Sequence, residues 1–382
     1  MSFALKMPRL CLMGVGAIQE AIEQVATQNK QKVLVVTDHT LVELNIVAPV
    51  LAALDQHQIA YSLFDKVTPN PTVALVEQGL AQYQQEACDA FIAIGGGSPI
   101  DCAKAIRIMA TNDGRINDYE GVNQVVNEGA YFVAINTTAG TAAEMTSNSV
   151  ITDEQAEKKM VIIDDKQIPN IAVNDPTVMV GLPASVTAAT GMDALTHAIE
   201  AYVSAGHHTL TDPTALEAIR LIHHWLPTAV ADGQNIEARQ GLACAEYLAG
   251  MAFNSAGLGL VHAMAHQPGA THNLPHGVCN AILLPVVSAY NAQFVPERFR
   301  TVAAVLGEDV ATLSDKDGAQ QAIKAIRALS EQVGIPAGFS ELGIKESDIP
   351  QWIEKALADP CLGCNPHQPT AKEVYELYSE AL

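Results

Sequence analysis

The sequence predicts two domains of different class: an α/β domain on a largely parallel sheet, followed by an all-helical domain. From Lys32 to about Val180, short β-branched runs alternate with helix-like stretches, and these runs are KVLVVTD, IAYSLFD, AFIAIGGG, YFVAIN and NIAVND. From Pro183 onward such runs vanish, and proline and glycine separate helical patterns. We therefore expect the α/β domain over residues 1–180 and the helical domain over residues 181–382. A cleft between them is the expected binding site.

The composition excludes several classes of partner and indicates a reducing compartment. The 382 residues carry 42 Asp and Glu against 21 Lys and Arg, and this net charge of -21 argues against nucleic acid or an anionic membrane as a partner. The seven cysteines are an odd number, so we expect no disulfide framework and a cytoplasmic location. Cys361 and Cys364 form a CxxC pair that lacks the second pair of a zinc site and the preceding strand of a redox motif. A chain this long needs no metal for bulk stability, so any metal is expected to serve chemistry.

Two apolar stretches resemble targeting or membrane segments without their other features. The run LCLMGVGAI, which begins at Leu10, is short and broken by glycine, so we expect it to form the first strand. The stretch from Tyr247 to Ala265 contains Asn254, Ser255 and His262. It therefore predicts a buried pair of helices and no membrane span.

A glycine-rich turn follows the strand AFIAI and opens a helix. Three glycines in a row precede Ser98, the expected N-cap, and Pro99, expected in the first helical turn. Glycines let a pyrophosphate approach the backbone, and free N–H groups at the helix start receive its charge. A tight turn without a ligand is the alternative. The loop after the next strand offers three hydroxyl groups, those of Thr137, Thr138 and Thr141.

A second dinucleotide pattern near the N-terminus is weak. Gly14 and Gly16 precede Asp38 at about the spacing of a Rossmann fingerprint, but Gln19 stands at the third glycine position. Asp38 ends the strand VLVVTD, where a carboxylate can hold a ribose 2'-hydroxyl and repel a 2'-phosphate. That placement favours NAD over NADP. An acid that caps the next helix gives the same pattern.

Four of the twelve histidines lie between Gly257 and Gly277. His262 and His266 are four residues apart, so on a helix their rings project from one face, which flanking glycines leave open. Pro268 is expected to end or kink this helix, and His276 to arrive from a separate segment after Pro275.

Asp193 and His197 repeat the four-residue spacing upstream. They lie roughly opposite an apolar stripe of Met192, Leu195, Ile199 and Tyr202. One carboxylate and three imidazoles from two or three segments would suit Fe(II), Zn(II), Ni(II) or Mn(II) and leave a coordination position open. Solvated histidines and an ordinary amphipathic helix remain the alternative explanation of each pair.

On these stretches the chain resembles the iron-containing (group III) alcohol dehydrogenases over nearly its whole length. The motifs that carry the resemblance are PNPT (69–72), GGGSPID (95–101), TTAGTAAE (137–144), ATGMDALTHAIEAY (189–202), GLGLVHAMAH (257–266) and PHG (275–277). The resemblance implies an N-terminal Rossmann-like domain and an all-helical C-terminal domain, a fold similar to that of dehydroquinate synthase. It also implies a homodimer.

The resemblance further implies the cofactors and the residues of the site. The cofactors would be NAD(H) and Fe(II), with Zn(II) as the alternative ion. The implied metal ligands are Asp193, His197, His262 and His276, and His266 would be a catalytic residue beside the metal and the nicotinamide. The implied cofactor-binding residues are Asp38, Asn70, Gly95, Gly96, Gly97, Ser98, Asp101, Thr137, Thr138, Thr141 and Lys159. The implied substrate residues are Asn148, Phe253 and Cys361.

Two residues depart from the family pattern. Asn136 stands where the family usually has proline, so we expect a looser threonine loop, and His272 is an extra histidine that is not expected to be a ligand. The predicted reaction is reversible hydride transfer between NAD(H) and short primary alcohols or diols, with aldehydes as products. A polyol (glycerol-type) dehydrogenase, a dehydroquinate-synthase-like lyase and a non-catalytic nucleotide- or metal-binding protein are the alternatives.

Overall fold

The computed structural model describes residues 3–156 and 158–382. They form an α/β unit, Lys6–Met179, and a helical unit, Val180–Leu382, which residues 3–5 join. The strands of the α/β unit are β1 (Leu10–Met13), β2 (Lys32–Asp38), β3 (Ala60–Val67), β4 (Ala90–Gly95), β5 (Gly121–Val122), β6 (Tyr131–Asn136), β7 (Asn148–Asp153), β8 (Lys158–Ile163) and β9 (Ile171–Asn174). Its helices are α1 (Ala17–Thr27), α2 (His39–Glu43), α3 (Ala48–Gln56), α4 (Val73–Gln85) and α5 (Gly97–Met109), with 3-10 helices at Ile116–Tyr119, Asp165–Gln167 and Pro176–Val178.

Six of these strands form one parallel sheet in the order β1-β9-β6-β4-β2-β3. Along β2, Leu34 and Val36 belong to one hydrophobic cluster and Val33 and Val35 to another, so side chains bury both faces of the sheet. This explains why the strand runs are continuously apolar and do not alternate with polar residues. The parallel sheet and the strand at LCLM are confirmed.

The carboxyl ends of these parallel strands meet at one edge of the sheet. Gly95 at the end of β4 pairs in register with Asn136 at the end of β6, and β2, which ends at Asp38, lies on the other side of β4. The chain leaves β2 toward β3 but leaves β4 toward β6, so the strand order reverses between β2 and β4. Such a reversal point is where open α/β sheets bind ligands.

A second sheet of three strands, in the order β5-β8-β7, was not predicted from the sequence. The strands β7 and β8 form an antiparallel pair from Asn148↔Ile163 to Asp153↔Lys158. Asp101 in α5 anchors this sheet, because its Oδ2 accepts a hydrogen bond of 3.0 Å from the backbone N–H of Val150.

The helical unit contains no strand anywhere in residues 183–382, as predicted. Its helices are α6 (Ala184–Val203), α7 (Asp212–Ala231), α8 (Ile236–Ala256), α9 (Leu260–His272), α10 (His276–Asn291), α11 (Pro296–Val305), α12 (Asp315–Gln332), α13 (Pro350–Leu357) and α14 (Ala371–Glu380), with 3-10 helices at Phe339–Leu342, Glu346–Asp348 and Pro360–Cys364. α6 packs against α7, α8 and α10, and every residue from Gly191 to Val203 is buried. The polar residues of α6 therefore face protein on all sides and need internal partners.

Among the described residues, no single helix has the length and apolar character to cross a membrane. α8 and α9 pass that test only as a pair, and they are bent by 104° at their break.

Candidate active site

Three helices of the helical unit bring one carboxylate and two imidazoles together. Asp193 of α6, His262 of α9 and His276 of α10 each offer a ligand atom, and these atoms lie within 4.8 Å of one another. Asp193 and His262 are each 2% exposed, and His276 is half-buried. These three candidate ligands therefore come from three separate helices that converge at one point.

Gly277 makes this convergence possible. A Cβ atom at this position would lie 2.4 Å from the carbonyl oxygen of Ala189 in α6. Any larger residue would force α10 away from α6. The glycine after His276 therefore sets how closely that histidine approaches Asp193.

The ring of His262 is oriented by Glu200, a residue that the sequence analysis did not select. Nδ1 of His262 lies 2.6 Å from Oε2 of Glu200, which leaves Nε2 to face the cluster. Burial raises the pKa of Glu200 to about 7, although backbone N–H donors act to lower it. Burial also holds the pKa of His262 well below its ordinary value, so the ring is neutral and offers a lone pair.

Three acceptor atoms converge on the side-chain amide of Asn280, which is fully buried. Its Nδ2 lies 2.6 Å from Oδ1 of Asp193, 3.2 Å from Nε2 of His262 and 3.1 Å from Nε2 of His276. One amide has two N–H bonds, so it cannot satisfy three acceptors at once. Such a convergence of lone pairs is what a cation requires, and this donor set therefore fits the ion that the resemblance implies.

The carboxyl of Asp193 is suited to remain ionised in this setting. Burial acts to raise its pKa, but the neighbouring imidazoles and the Asn280 amide lower it more, so its pKa lies below the usual value. A buried charge of this kind needs a compensating positive group.

His197 lies next to the cluster but is not among the three residues whose ligand atoms lie within 4.8 Å. Its ring stacks on His262 at 4.6 Å between centroids and on Phe253 at 4.4 Å. Its Nδ1 is buried, and no described residue supplies a hydrogen-bond partner for that atom.

The histidine helix α9 continues through Pro268 to His272, so this proline does not end the helix, and the alternative that it kinks the helix stays a prediction. The close approach that the flanking glycines were expected to allow is present at Gly259, where a Cβ atom would lie 3.0 Å from Oε1 of Glu200 in α6. His262 itself is 2% exposed. The predicted break before His276 is confirmed, since Pro275 caps a new helix.

His266 belongs to a second group of side chains, together with Asp359 and Cys361. Nδ1 of His266 lies 2.8 Å from Oδ2 of Asp359, and Oδ1 of Asp359 accepts from the backbone N–H of Cys361 at 2.9 Å. Burial raises the pKa of the Cys361 thiol well above its usual value, and the Asp359 charge adds to the effect. The His266 ring is 5.4 Å from that of His276, so this group borders the first cluster.

His272 lies away from both groups, on the exposed end of α9. Its Nδ1 is 2.8 Å from the hydroxyl of Thr271, and its ring meets the edge of Trp352. It is not in either group that could hold an ion among the described residues.

In the α/β unit, the glycine turn and the threonine loop pack against each other. A Cβ at Gly96 would lie 3.1 Å from Oγ1 of Thr138, and one at Gly97 would lie 3.2 Å from Cγ2 of Thr141. The N-cap of α5 is Gly96, so the prediction of Ser98 as N-cap was wrong. Ser98 lies one residue inside the helix because the glycine turn already supplies the extended cap conformation.

Asn136 connects the threonine loop to its surroundings, and the expected loosening of this loop stays a prediction. Oδ1 of Asn136 accepts from the backbone N–H of Thr138 at 3.1 Å, and its Nδ2 donates to Asn174 at 3.1 Å. The backbone N–H of Thr137 donates to Gly95 at 3.0 Å. Amide hydrogen bonds thus take the place of a rigid proline.

Two further predicted nucleotide residues meet on the neighbouring sheet. Nζ of Lys159 in β8 donates to Oδ1 of Asn70 at 2.9 Å. Asn70 has a positive φ of 57° in the loop after β3. The structure therefore joins two predictions that lie 89 residues apart in the chain.

Near the N-terminus, both parts of the weak dinucleotide pattern have hydrogen-bond partners within the protein. Oδ2 of Asp175 accepts from the backbone N–H of Gly16 at 2.9 Å, so this turn already holds an anion. Oδ1 of Asp38 caps α2 by accepting from the backbone N–H of Leu41 at 2.9 Å. The capping interpretation of Asp38 is confirmed, and its contact with ribose stays a prediction.

The three predicted substrate residues lie in different units. Phe253 and Cys361 belong to the helical unit, beside His197 and Asp359 respectively. Asn148 begins β7 in the α/β unit, where its carbonyl oxygen accepts from Lys104.

Sequence reasoning missed Glu200, Asn280 and Asp359. Glu200 follows His197 by three residues on α6, and Asn280 follows His276 by four on α10, so helical spacing offered a signal for both. Asp359 lies 93 residues from His266, and no spacing rule connects them.

Two family models and several known proteins match this chain. The iron-containing alcohol dehydrogenase model matches residues 8–176, and the C-terminal model of the Fe-containing alcohol dehydrogenase family matches residues 187–382. The chain is 44% identical to the NAD-dependent methanol dehydrogenase of Bacillus methanolicus, covering 98% of each chain. It is 43% identical to the lactaldehyde reductase of Escherichia coli K12, covering 96% of each. A crystal structure of 1,3-propanediol oxidoreductase superimposes with a TM-score of 0.98 at 43% identity over 100% of both chains. The chain therefore belongs to the iron-containing alcohol dehydrogenase family.

Proposed function

We propose that this alcohol dehydrogenase transfers a hydride between NAD(H) and a short primary alcohol or diol of the lactaldehyde/1,2-propanediol type. The observation that carries the proposal is the convergence of Asp193, His262 and His276 on one point. The methanol, lactaldehyde and propanediol enzymes are similar to the chain to nearly the same degree, so identity supports the class of substrate and no single alcohol.

Asp193, His197, His262 and His276 would hold Fe(II). The bound ion would supply Lewis acidity, which lowers the pKa of an alcohol hydroxyl or polarises an aldehyde carbonyl. The chain's own contribution is to present neutral imidazoles and one carboxylate in a buried, oriented set. Phe253, stacked on His197, would exclude water from one side of the site and contact the substrate.

His266 is proposed to accept the alcohol proton and to return it in the reverse direction. Its Nδ1 is engaged by Asp359, so Nε2 is the atom available for that proton. Asp359 therefore positions His266, and Cys361 beside it would border the substrate. Asn148 is the proposed substrate residue of the α/β unit.

The nucleotide is proposed to bind at the carboxyl edge of the parallel sheet. Gly95 to Ser98 would receive the pyrophosphate at the start of α5, where helix N–H groups are available. The packing of this turn against Thr138 and Thr141 supports a common site with Thr137, and Lys159 with Asn70 would complete it. Asp38 would bind the ribose. The Asp101 carboxylate accepts from Val150, which supports a role in holding the turn in place.

We further propose a homodimer and a cytoplasmic location. The family resemblance supports the dimer, and the seven free cysteines support a reducing compartment. Sedimentation of the purified protein at several concentrations tests the dimer.

The deciding experiment measures NADH oxidation with lactaldehyde, propanal, butanal and glycolaldehyde. Protein stripped by a chelator would be rebuilt anaerobically with Fe(II) or Zn(II) before the assay. We expect activity to return with Fe(II), to be lost in Asp193→Asn, and to fall with an altered pH profile in His266→Ala. His272→Ala is the matched control, since it removes a histidine of the same helix outside the site. Absence of turnover with either ion, despite NADH binding, would refute the dehydrogenase proposal.

A further inference from the structure

Beside the proposed iron site lies a group of three side chains with different donor chemistry. His266, Asp359 and Cys361 each offer a ligand atom, and these atoms lie within 4.8 Å of one another. All three residues are partly buried, and the side chains of His266 and Asp359 are 16% and 9% exposed. A water molecule would complete the coordination shell of an ion bound there. His266 comes from α9, while Asp359 and Cys361 flank the start of the 3-10 helix Pro360–Cys364.

We propose that His266, Asp359 and Cys361 form a second cation site that takes a thiophilic divalent ion such as Zn(II) or Cd(II). A set of one imidazole nitrogen, one carboxylate oxygen and one thiolate sulfur with an open fourth position is typical of zinc. The first cluster lacks sulfur, so the two sites differ in softness. Ligand atoms around tetrahedral zinc lie about 3.3 to 3.7 Å apart. Nδ1 of His266 and Oδ2 of Asp359, now 2.8 Å apart, would therefore separate slightly, and ligand atoms farther apart would move inward by up to about 1 Å.

The charges make this second site compatible with an ion in the first. The carboxylate of Asp359 and the thiolate of Cys361 together neutralise a divalent ion. Binding balances as one Zn(II) taken up and one proton released, which the Cys361 thiol gives to solvent as its sulfur–zinc bond forms. The imidazole of His266 stays neutral, with its single proton on the nitrogen that does not ligate. The second ion therefore adds no net charge next to the first.

Occupation of this site would inhibit hydride transfer. This step rests on the proposed role of His266 as the group that accepts the alcohol proton. A ligating imidazole has one nitrogen on the ion and a proton on the other, so it cannot accept a further proton. The ion would also lie at Cys361, where the substrate is proposed to enter. Excess zinc would then inhibit an enzyme whose first site already holds its own ion.

Cadmium titration of the iron-reconstituted protein tests binding without reference to activity. We expect one further equivalent of Cd(II) to bind and to produce the ultraviolet absorption of a cadmium–thiolate bond. Cys361→Ser should abolish that absorption, and Asp359→Asn should lower the cadmium affinity by about 10-fold or more. Cys364→Ser is the matched control, because this cysteine lies three residues away and outside the group, and it should keep the full signal. Absence of the thiolate absorption, or its equal loss in Cys364→Ser, would overturn the proposal.

Zinc inhibition then tests the consequence separately. With Fe(II)-loaded protein and an aldehyde, we expect the zinc concentration for half-inhibition to rise about 10-fold or more in Cys361→Ser relative to Cys364→Ser. Inhibition of both variants at the same concentration would overturn the second site as its cause. Protein without any turnover would refute the proposed dehydrogenase function, while the cadmium signal would still decide the cation site.

Discussion

The carboxylate of Glu200 binds both the backbone at the start of α9 and the imidazole ring of His262. It accepts from the backbone N–H of Gly259 at 3.1 Å and of Val261 at 2.6 Å, and it engages Nδ1 of His262. A Cβ at Gly259 would lie 3.0 Å from Oε1 of Glu200, so only glycine permits this approach without adjustment. One side chain therefore caps α9 and fixes the ring that it carries.

Glu200→Gln keeps the size of this side chain but replaces one acceptor oxygen with a donor. We expect the affinity for Fe(II) to fall about 10-fold to 100-fold, because the His262 ring loses the partner that sets its tautomer. Competition with a chelator of known affinity measures this change. Glu217→Gln removes an exposed carboxylate of α7 and should leave metal affinity unchanged. Equal affinities in the two variants would show that Glu200 does not orient the ligand.

Lys104 is a fully buried lysine in the α/β unit. Its Nζ donates to the carbonyl and hydroxyl oxygens of Thr146 and to the carbonyl oxygen of Asn148, at 2.8 to 3.1 Å. Burial lowers the pKa of Lys104 to about 8, although the charge of Asp101 acts to raise it. In the unfolded chain its pKa returns to 10.5.

This difference gives the stability of the protein a defined dependence on pH. Between pH 8 and 10.5 the unfolded chain keeps a proton that the folded chain has released, so the free energy of unfolding rises with pH. We expect the free energy of unfolding of the wild type, minus that of Lys104→Met, to increase by up to about 1.4 kcal/mol per pH unit in this range. Denaturant unfolding from pH 7 to 10 measures it, with exposed Lys372→Met as the control. A difference in the free energy of unfolding that stays constant with pH would contradict the lowered pKa of Lys104.

At the scale of one element, α9 continues through Pro268 because another helix supplies the missing donor. Proline has no N–H, so the carbonyl of Met264, four residues earlier, loses its helical hydrogen bond. The hydroxyl of Tyr378 in α14 donates to that oxygen at 2.7 Å. Tyr378 is fully buried, so water cannot take its place.

Tyr378→Phe removes this donor and leaves a buried carbonyl without a partner. We expect the free energy of unfolding of the helical unit to fall by about 1 to 3 kcal/mol. Denaturant unfolding followed by circular dichroism at helical wavelengths measures the loss. Tyr375→Phe lies on the same helix, but its hydroxyl bonds Glu346 at the surface, so it should change stability by less than about 1 kcal/mol. Similar losses of unfolding free energy in both variants would argue against stabilisation of α9 by the hydrogen bond from Tyr378 to Met264.

These elements also show what the sequence could predict. Apolar runs predicted the parallel sheet because strands buried on both faces leave a strong signal. The pair β7 and β8 was missed because β7 contains only two apolar residues and β8 begins with two lysines. The continuation of α9 depends on Tyr378, 114 residues from Met264, and the orientation of His266 on Asp359 is equally non-local. Local patterns therefore predicted the candidate ligands, whereas their supporting contacts required the fold.

At the scale of the whole molecule, the two kinds of candidate site belong to different units. The glycine turn, the threonine loop, Asn70 and Lys159 lie within Lys6–Met179. The metal-type cluster and His266 lie within Val180–Leu382. Each unit is compact by itself, so a ligand should stabilise most strongly the unit that supplies its contacts.

Hydrogen exchange, measured separately for peptides from each unit, tests whether each ligand stabilises the unit that binds it. At about 100 times its dissociation constant, a ligand stabilises the state it binds by about 2.7 kcal/mol, which slows the exchange of globally protected amides about 100-fold. We expect NADH to slow exchange chiefly in residues 6–179, and removal of the ion by a chelator to speed exchange chiefly in residues 180–382. Asp193→Asn should abolish the effect of the ion and keep that of NADH, because only the ion's ligand set is damaged. Equal changes in the exchange of both units on removal of the ion would mean that the two units unfold as one cooperative body. Such a result would contradict the prediction that each ligand stabilises chiefly the unit that binds it.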